Sequence, residues 1–511
     1  MRIDFDDGTL VLQDAPAEVP FAEWDDRIDE YRVQAYRYRE LLEWAGGWSD
    51  SNGQTTLEDA LPRSMSLHDA ARSYPELDLT PALHIEPRDY QQAALDAWID
   101  HSRRGSVVLP TGSGKTFLGL QAIADAGVSA LVVTPTIDLM NQWHATLTNA
   151  FGDQLTEPIG VLGGGSHEVT AITVTTYDSA YRYINEYGDQ FGLLVVDEEH
   201  HLPAPTYQQI PEMTIAPYRL GLTATYERPD GKHELLEDLI GPVVYEEAVD
   251  ELAGEYLSEY ETIHMSVELT PEERETYDEE YQIYRDYVDS HEFDLWKEEG
   301  YQEFLKRTSY DPKGRRALIA KQRAERIART AEKKLETLDN LLKRHHDDRA
   351  IIFTANNDFA YEISQEFIVP CITHQTKTDE RTEILERFRT GEYSMLATSQ
   401  VLDEGIDVPA ANVGIILSGS ASKRQYAQRL GRILRPTDDR QPAPGGADCK
   451  RQHRPTTCRG WFRSVHTVGP VDTISERSRG GSVKGTISVV ACRLTRHEPA
   501  ACRCGRAARS R

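Results

Sequence analysis

The run Leu109-Pro110-Thr111-Gly112-Ser113-Gly114-Lys115-Thr116 decides how the rest of this chain is read. An apolar, strand-like segment, Ser106 to Leu109, leads into it, and a helix-compatible stretch from Phe117 to Ala126 leaves it. Strand, glycine loop and helix in that order form the context in which such a run cradles phosphates. Glycines let backbone N–H groups fold around a β-phosphate, Lys115 neutralises the β and γ oxygens, and the Thr116 hydroxyl suits Mg²⁺. Gly112, Ser113, Gly114, Lys115 and Thr116 are therefore candidate ATP-binding residues. The strict pattern has a Gly where this chain has Leu109, so the match is to the Pro-Thr-Gly-Ser-Gly-Lys-Thr variant.

Downstream, Leu193-Leu194-Val195-Val196 is an all-apolar run suited to a buried parallel strand. It delivers Asp197 and Glu198 to the carboxyl end, where ligands sit in such sheets. Asp197 is expected to hold Mg²⁺ through water, and Glu198 to orient and deprotonate the attacking water. A solvated acidic loop is the plainer reading of Asp-Glu-Glu-His-His, and the phosphate loop upstream weighs against it.

A length of 511 residues leaves room for several domains. The acidic start, Met1-Arg2-Ile3-Asp4-Phe5-Asp6-Asp7-Gly8, is unlike a signal peptide, and no apolar run approaches the roughly 18 residues of a membrane span, so a cytoplasmic protein without membrane contact is expected. Of six cysteines only Cys371 precedes position 440, which excludes a disulfide framework in the main body. The formal charge of −28 suggests a halophile. In molar salt the Debye length is about 3 Å, so a carboxylate-rich surface no longer repels DNA over distance.

Apolar strands alternate with helical patterns from Pro87 to about Glu247, at Leu131 to Thr134, Ile172 to Thr175, Leu193 to Val196 and Arg219 to Leu222. That rhythm implies a parallel sheet with helices on both faces. A second such region runs from Arg349 to about Leu434, with strands at Ile351 to Phe353, Met395 to Thr398 and Val413 to Leu417. Ahead of both, Glu23 to Ala45 reads as a helix with Trp24, Ile28, Tyr31, Tyr38 and Leu41 on a core stripe.

Between the two regions, Tyr277, Tyr281, Tyr284 and Val288 keep one helix face, and Ile327, Leu335, Leu338 and Leu342 keep another. Lys306 to Lys334 carries eleven Lys+Arg against three Asp+Glu, either a solvated face or, at Arg323, Arg326 and Arg329, a contact for nucleic-acid phosphates. Residues 441–511 carry 14 Lys+Arg and 4 Asp+Glu, a net +10 where the remainder carries −38, and hold five of the six cysteines. With hydrophobic periodicity gone, that stretch reads as an out-of-frame product or a basic DNA-binding tail. Little packed structure is expected of it.

Taken together, residues 1 to about 440 resemble the superfamily 2 helicases, and within them the archaeal XPB-like family. The markers stand in order: Arg88-Asp89-Tyr90-Gln91, Val133-Thr134-Pro135-Thr136, Val174-Thr175-Thr176-Tyr177, Thr223-Ala224-Thr225, Gly405-Ile406-Asp407 and Gln428-Arg429-Leu430-Gly431-Arg432-Ile433-Leu434-Arg435. A further element of the family matches at Arg228 and Asp230 and departs at Pro229.

The resemblance implies that Gln91 reads the adenine edge while Arg88 packs on the ring. It also implies that Asp407 approaches the ribose, and that Gln428, Arg432 and Arg435 reach the γ-phosphate from a second domain. The loops at Thr136 and Thr176 would hold a nucleic-acid strand by its backbone.

An α/β fold is implied, with two RecA-like parallel-sheet domains, an N-terminal accessory domain and a helical thumb-like insertion. The expected boundaries are 1–84 for a DNA-interaction domain, 85–250 and 251–440 for the RecA-like pair with the insertion at about 271–318, and 441–511 for a disordered tail. ATP and Mg²⁺ are the implied cofactors. DNA is the implied partner, with a repair nuclease or transcription factors as protein partners. Movement 3′ to 5′ on DNA in repair or transcription is the implied activity. A double-strand translocase without strand separation and an inactive DNA-binding scaffold are its alternatives.

Overall fold

Asp7 and Gly8 both take positive φ, 48° and 80°, the requirement of a type I′ turn, and they join the first two strands into a hairpin. The computed structural model describes residues 1–46, 67–82, 86–228, 231–248, 252, 260–291, 293, 298–399, 411–417 and 484–492. In the N-terminal part, the strands Glu23–Asp25, Glu30–Gln34, Thr9–Gln13, Arg2–Asp6 and His68–Asp69 lie side by side in that order. Ile3, Leu10, Leu12 and Val33 face the core, and the helix Tyr38–Trp44 adds Tyr38 and Leu41.

This part corrects the helix expected over Glu23 to Ala45. Asp29, at φ 54°, turns the chain, and Trp24 faces Tyr31 across a hairpin with ring centroids 5.0 Å apart. A spacing that fits one helix face also fits an edge-to-face cross-strand pair. Trp24 and Ile28 lie outside the core, at 49% and 40% exposure.

The first large sheet contains the strands Val243–Glu246, Arg104–Val108, Tyr218–Thr223, Leu193–Asp197, Ala130–Thr134, Ile172–Thr176, Gly160–Gly163 and Ser166–His167, in that spatial order. All are parallel except the last pair. Its central strands are buried from end to end, as their unbroken apolar runs require.

In the second sheet the order is Tyr260–Glu268, Lys484–Cys492, Val413–Ile416, Ala350–Phe353, Met395–Thr398 and Cys371–Ile372. The last four run parallel, and Lys484–Cys492 is antiparallel to both its neighbours. For that segment the expectation of little packed structure is overturned. A stretch rich in β-branched residues, Thr486-Ile487-Ser488-Val489-Val490, fills an interior slot, and Ile487 is fully buried.

Helices Pro271–Ser290 and Pro312–Arg329, with Glu298–Thr308 between them, form the helical connection. Thr270 caps the first, sharing a capping box with Glu273, and Pro271 takes the position where its missing N–H costs nothing. The apolar face expected from Ile327 to Leu342 is split between Pro312–Arg329 and a new helix, Glu332–Arg344. Lys334, fully buried, donates to the carbonyls of Arg329 at 3.0 Å and Leu417 at 2.7 Å, fixing that break to the second sheet.

Candidate active site

The loop after strand Arg104–Val108 reverses on Gly112 (φ 85°) and Gly114 (φ 88°) and starts the helix Lys115–Ala126. A Cβ on Gly114 would stand 2.5 Å from Nε2 of Gln91, so space as well as backbone angle calls for glycine. Ser113 is fully buried, its Oγ donating to the Pro110 carbonyl at 2.7 Å. Its own carbonyl accepts from Nε2 of Gln91 at 2.8 Å and from the hydroxyl of Tyr90 at 2.5 Å. The loop is thus held in shape from the helix Asp89–Asp100.

One strand, Tyr218–Thr223, separates the loop's strand from Leu193–Asp197. At the end of the latter, Glu198 takes the left-handed conformation, φ 52° and ψ 52°, uncommon for a side-chain-bearing residue and typical of functional corners. Lys115 Nζ lies 3.7 Å from Oε1 of Glu198 and donates to the Leu109 carbonyl at 3.3 Å. The two side chains are 11% and 13% exposed. Burial first, then repulsion from Glu198, pushes the Asp197 carboxyl up from its ordinary range, with Lys115 and the Trp143 indole pulling it back.

His200 hydrogen-bonds through Nδ1 to the Thr223 hydroxyl at 3.0 Å. The Thr223 hydroxyl also donates to the Thr225 carbonyl at 2.9 Å. The acidic corner is thereby tied to Thr223-Ala224-Thr225 through a residue to which the sequence reading gave no role.

Two more unforeseen residues hold the same corner. Trp143 Nε1 donates to Oδ2 of Asp197 at 2.9 Å, and the Tyr177 hydroxyl is shared between the carbonyls of Asp197 and Glu198, 3.1 Å from each. Tyr177 stands in the marker Val174-Thr175-Thr176-Tyr177 without a role assigned to it, no such run marks Trp143, and strand order brings both here.

The donor set fits a nucleotide with a divalent ion. Oγ1 of Thr111 and Oε2 of Glu198 are buried without a hydrogen-bond partner. The start of a twelve-residue helix points its N–H groups at the loop. Among the described residues no group of three or more His, Cys, Asp or Glu side chains could cage a metal. An ion at Thr116 and Asp197 would thus complete its shell with phosphate oxygens and water, as Mg²⁺ does.

Other expected residues take different places. Gln91 is buried against the loop, its Oε1 accepting the Arg88 N–H at 3.0 Å, so most of its amide is committed away from an adenine. Arg88 reaches the Tyr90 hydroxyl at 3.1 Å. Thr136 and Thr176 cap the helices Ile137–Phe151 and Tyr177–Tyr187, each hydroxyl accepting a backbone N–H at 3.3 Å. Arg323 pairs with Glu280 at 3.0 Å and Arg329 with Glu325 at 3.1 Å, whereas Arg326 is exposed. Asp407, Gln428, Arg432 and Arg435 lie outside the described residues, as do Pro229 and Asp230.

A lysine and a helix N-terminus beside two carboxylates are the donor set that one wall of a P-loop ATPase site requires. The sequence matches the family models "Type III restriction enzyme, res subunit" over 84–228, "Helicase conserved C-terminal domain" over 333–437 and "Xeroderma pigmentosum group B helicase damage recognition domain" over 3–46. The DNA 3′-5′ translocase XPB2 of Sulfurisphaera tokodaii is 40% identical over 429 residues, 84% of this chain and 92% of that protein. The DNA 3′-5′ helicase XPB of Mycobacterium tuberculosis is 31% identical, covering 69% and 58%, and the Rad25 protein of Halobacterium salinarum 29% identical, covering 84% and 65%. The chain belongs to the XPB family of superfamily 2 helicases and translocases, ATP-dependent enzymes. Among the described residues no helix is long and apolar enough to cross a membrane.

Proposed function

We propose that the chain binds Mg·ATP on this wall and couples hydrolysis to 3′-to-5′ movement along DNA, in repair or in opening DNA for transcription. The observation that carries the reading is the approach of Lys115 to Glu198 beside Asp197, at the carboxyl ends of two strands of one parallel sheet. Lys115 and the loop N–H groups take the phosphates, Thr116 and Asp197 the metal, and Glu198 the attacking water. Held by Thr116 and Asp197, a Mg²⁺ ion would supply neutralisation of phosphate charge. Arg88 lies on the adenine side, with Gln91 setting the loop behind it. From sequence alone, Asp407, Gln428, Arg432 and Arg435 belong to the opposite wall. An arginine supplied across such a cleft is worth about 10³ to 10⁵ in rate.

The DNA backbone, in this reading, runs along the first sheet's carboxyl edge. Strands Ala130–Thr134 and Ile172–Thr176 are parallel neighbours there, so the helices beginning after Thr136 and Thr176 offer adjacent N-termini to phosphates. Residues 1–84 would form the DNA-interaction domain, and the protein would work in the cytoplasm beside a repair nuclease or transcription factors. The 40% identical relative is named a DNA 3′-5′ translocase and the 31% identical one a DNA 3′-5′ helicase, and both names accord with movement on or opening of DNA. A triplex-displacement assay beside a fork-unwinding assay tests this. ATP-dependent triplex displacement is expected, fork unwinding beside it distinguishes a helicase from a double-strand translocase, and failure to hydrolyse ATP with any DNA present defeats the proposal.

A further inference from the structure

Both helices that begin at the candidate DNA edge send an aromatic donor to the acidic corner. Trp143 sits seven residues beyond Thr136, about two turns or 10 Å along the helix. Its buried indole crosses Gly119 of the phosphate-loop helix so closely that a Cβ there would overlap the ring. Glycine within a helix costs about 1 kcal/mol relative to alanine, and room for this ring is what Gly119 provides. The N–H then reaches Oδ2 of Asp197. Tyr177 directly follows Thr176, is buried, and spans the peptide of strained Glu198 from the opposite side. Two separate elements thus grip one carboxylate and one backbone corner.

We infer that Trp143 and Tyr177 are positioning residues that make the nucleotide site respond to DNA. A phosphate backbone drawn onto either helix N-terminus shifts that helix as a rigid rod. The indole N–H two turns in, or the phenol O–H in the first turn, then resets Asp197 and Glu198. The inference rests on the proposed path of DNA over Thr136 and Thr176. Linkage makes the coupling reciprocal, so it is readable in DNA affinity alone, without turnover.

The test measures binding of a fluorescein-labelled duplex by anisotropy, with and without Mg·AMP-PNP, for the whole wild-type chain, Trp143→Phe and Tyr177→Phe. Each variant keeps a ring in place and removes one donor. Mant-ATP binding without DNA and a thermal melt accompany each. In the wild type, nucleotide is expected to change DNA affinity by about tenfold or more. In both variants that ratio should fall to within about twofold of one, while nucleotide-free DNA affinity and DNA-free nucleotide affinity stay near wild type. A purely structural role would lower the melting temperature and leave the ratio intact, which overturns the inference. Loss of nucleotide binding in the absence of DNA also overturns it, by assigning the donors to the nucleotide itself. A wild type whose DNA affinity ignores nucleotide defeats the DNA path and the inference together. A wild type that couples beside variants that couple equally defeats the inference alone.

Discussion

The carboxyl of Glu199 occupies the space that a Cβ on Gly221 would fill. Glu199 is fully buried one residue beyond the acidic corner, and its Oε2 accepts from the Ser106 hydroxyl at 2.8 Å. Gly221, in the adjoining strand, makes this possible by having no side chain. Gly221→Ala should therefore destabilise the first sheet by about 1 to 3 kcal/mol, the usual cost of overpacking. Thermal denaturation measures it, and an unchanged melting temperature would show that the carboxyl moves aside freely.

The same carboxyl should make stability depend on pH. Burial pushes it from an ordinary 4.5 to about 8, so between those values the folded chain holds a proton that the unfolded chain releases. Stability is then intact below about 4.5 and is lost as pH rises toward 8, by several kcal/mol in all. Glu199→Gln, neutral throughout, should flatten that decline. Melting curves from pH 5 to 8.5 that fall equally for both proteins contradict the assignment.

At the site itself, Lys115→Ala should abolish detectable nucleotide binding, because no other side chain is proposed to neutralise the β and γ oxygens. Glu198→Gln should bind ATP with near wild-type affinity and turn it over at least about a hundredfold more slowly, as loss of a general base does. DNA-stimulated phosphate release and mant-ATP titration separate the two effects. Normal turnover by either variant removes that residue from its proposed role.

For the basic helix, the ion pairs sharpen the expectation. Arg323 and Arg329 already have carboxylate partners, while Arg326 is exposed. If this face meets DNA, Arg326→Gln should weaken binding across all sequences and lower the magnitude of the log K versus log salt slope by about one. Arg323→Gln should change it less. Identical slopes in all three proteins would make the face a solvated one.

Deleting residues 441–511 should unsettle the second sheet, since Lys484–Cys492 is hydrogen-bonded on both sides within it. Limited proteolysis should then cut between residues 260 and 417 much sooner than in the full chain, with the first sheet still protected. Equal digestion rates would mean that the strand adds nothing to the sheet.

What the sequence disclosed was chemistry that is local to the chain. The loop at Gly112 to Thr116 and the strand ending at Asp197 carry their context within a few residues, and their alternation with helices discloses the sheets. What it hid depends on neighbours set by strand order. Trp143 and Tyr177 meet Asp197 because strand Ala130–Thr134 lies between Leu193–Asp197 and Ile172–Thr176, which no spacing reveals. The hairpin of Trp24 and Tyr31 hid behind an aromatic spacing shared by helices and antiparallel pairs. The tail strand hid behind a change of charge and cysteine use that says nothing about β-propensity over nine residues.

The second sheet has an order of manufacture built into it. Glu268 pairs with Lys484 and Val413 with Ala491, so a central strand of that sheet leaves the ribosome long after the two strands it joins. The first sheet can close once Glu246 has emerged. Until Cys492 follows, Tyr260–Glu268 and Val413–Ile416 wait with open edges, the condition in which nascent chains pair wrongly with one another. A stalled transcript would therefore yield a chain with a finished phosphate loop and an unfinished, adhesive second half.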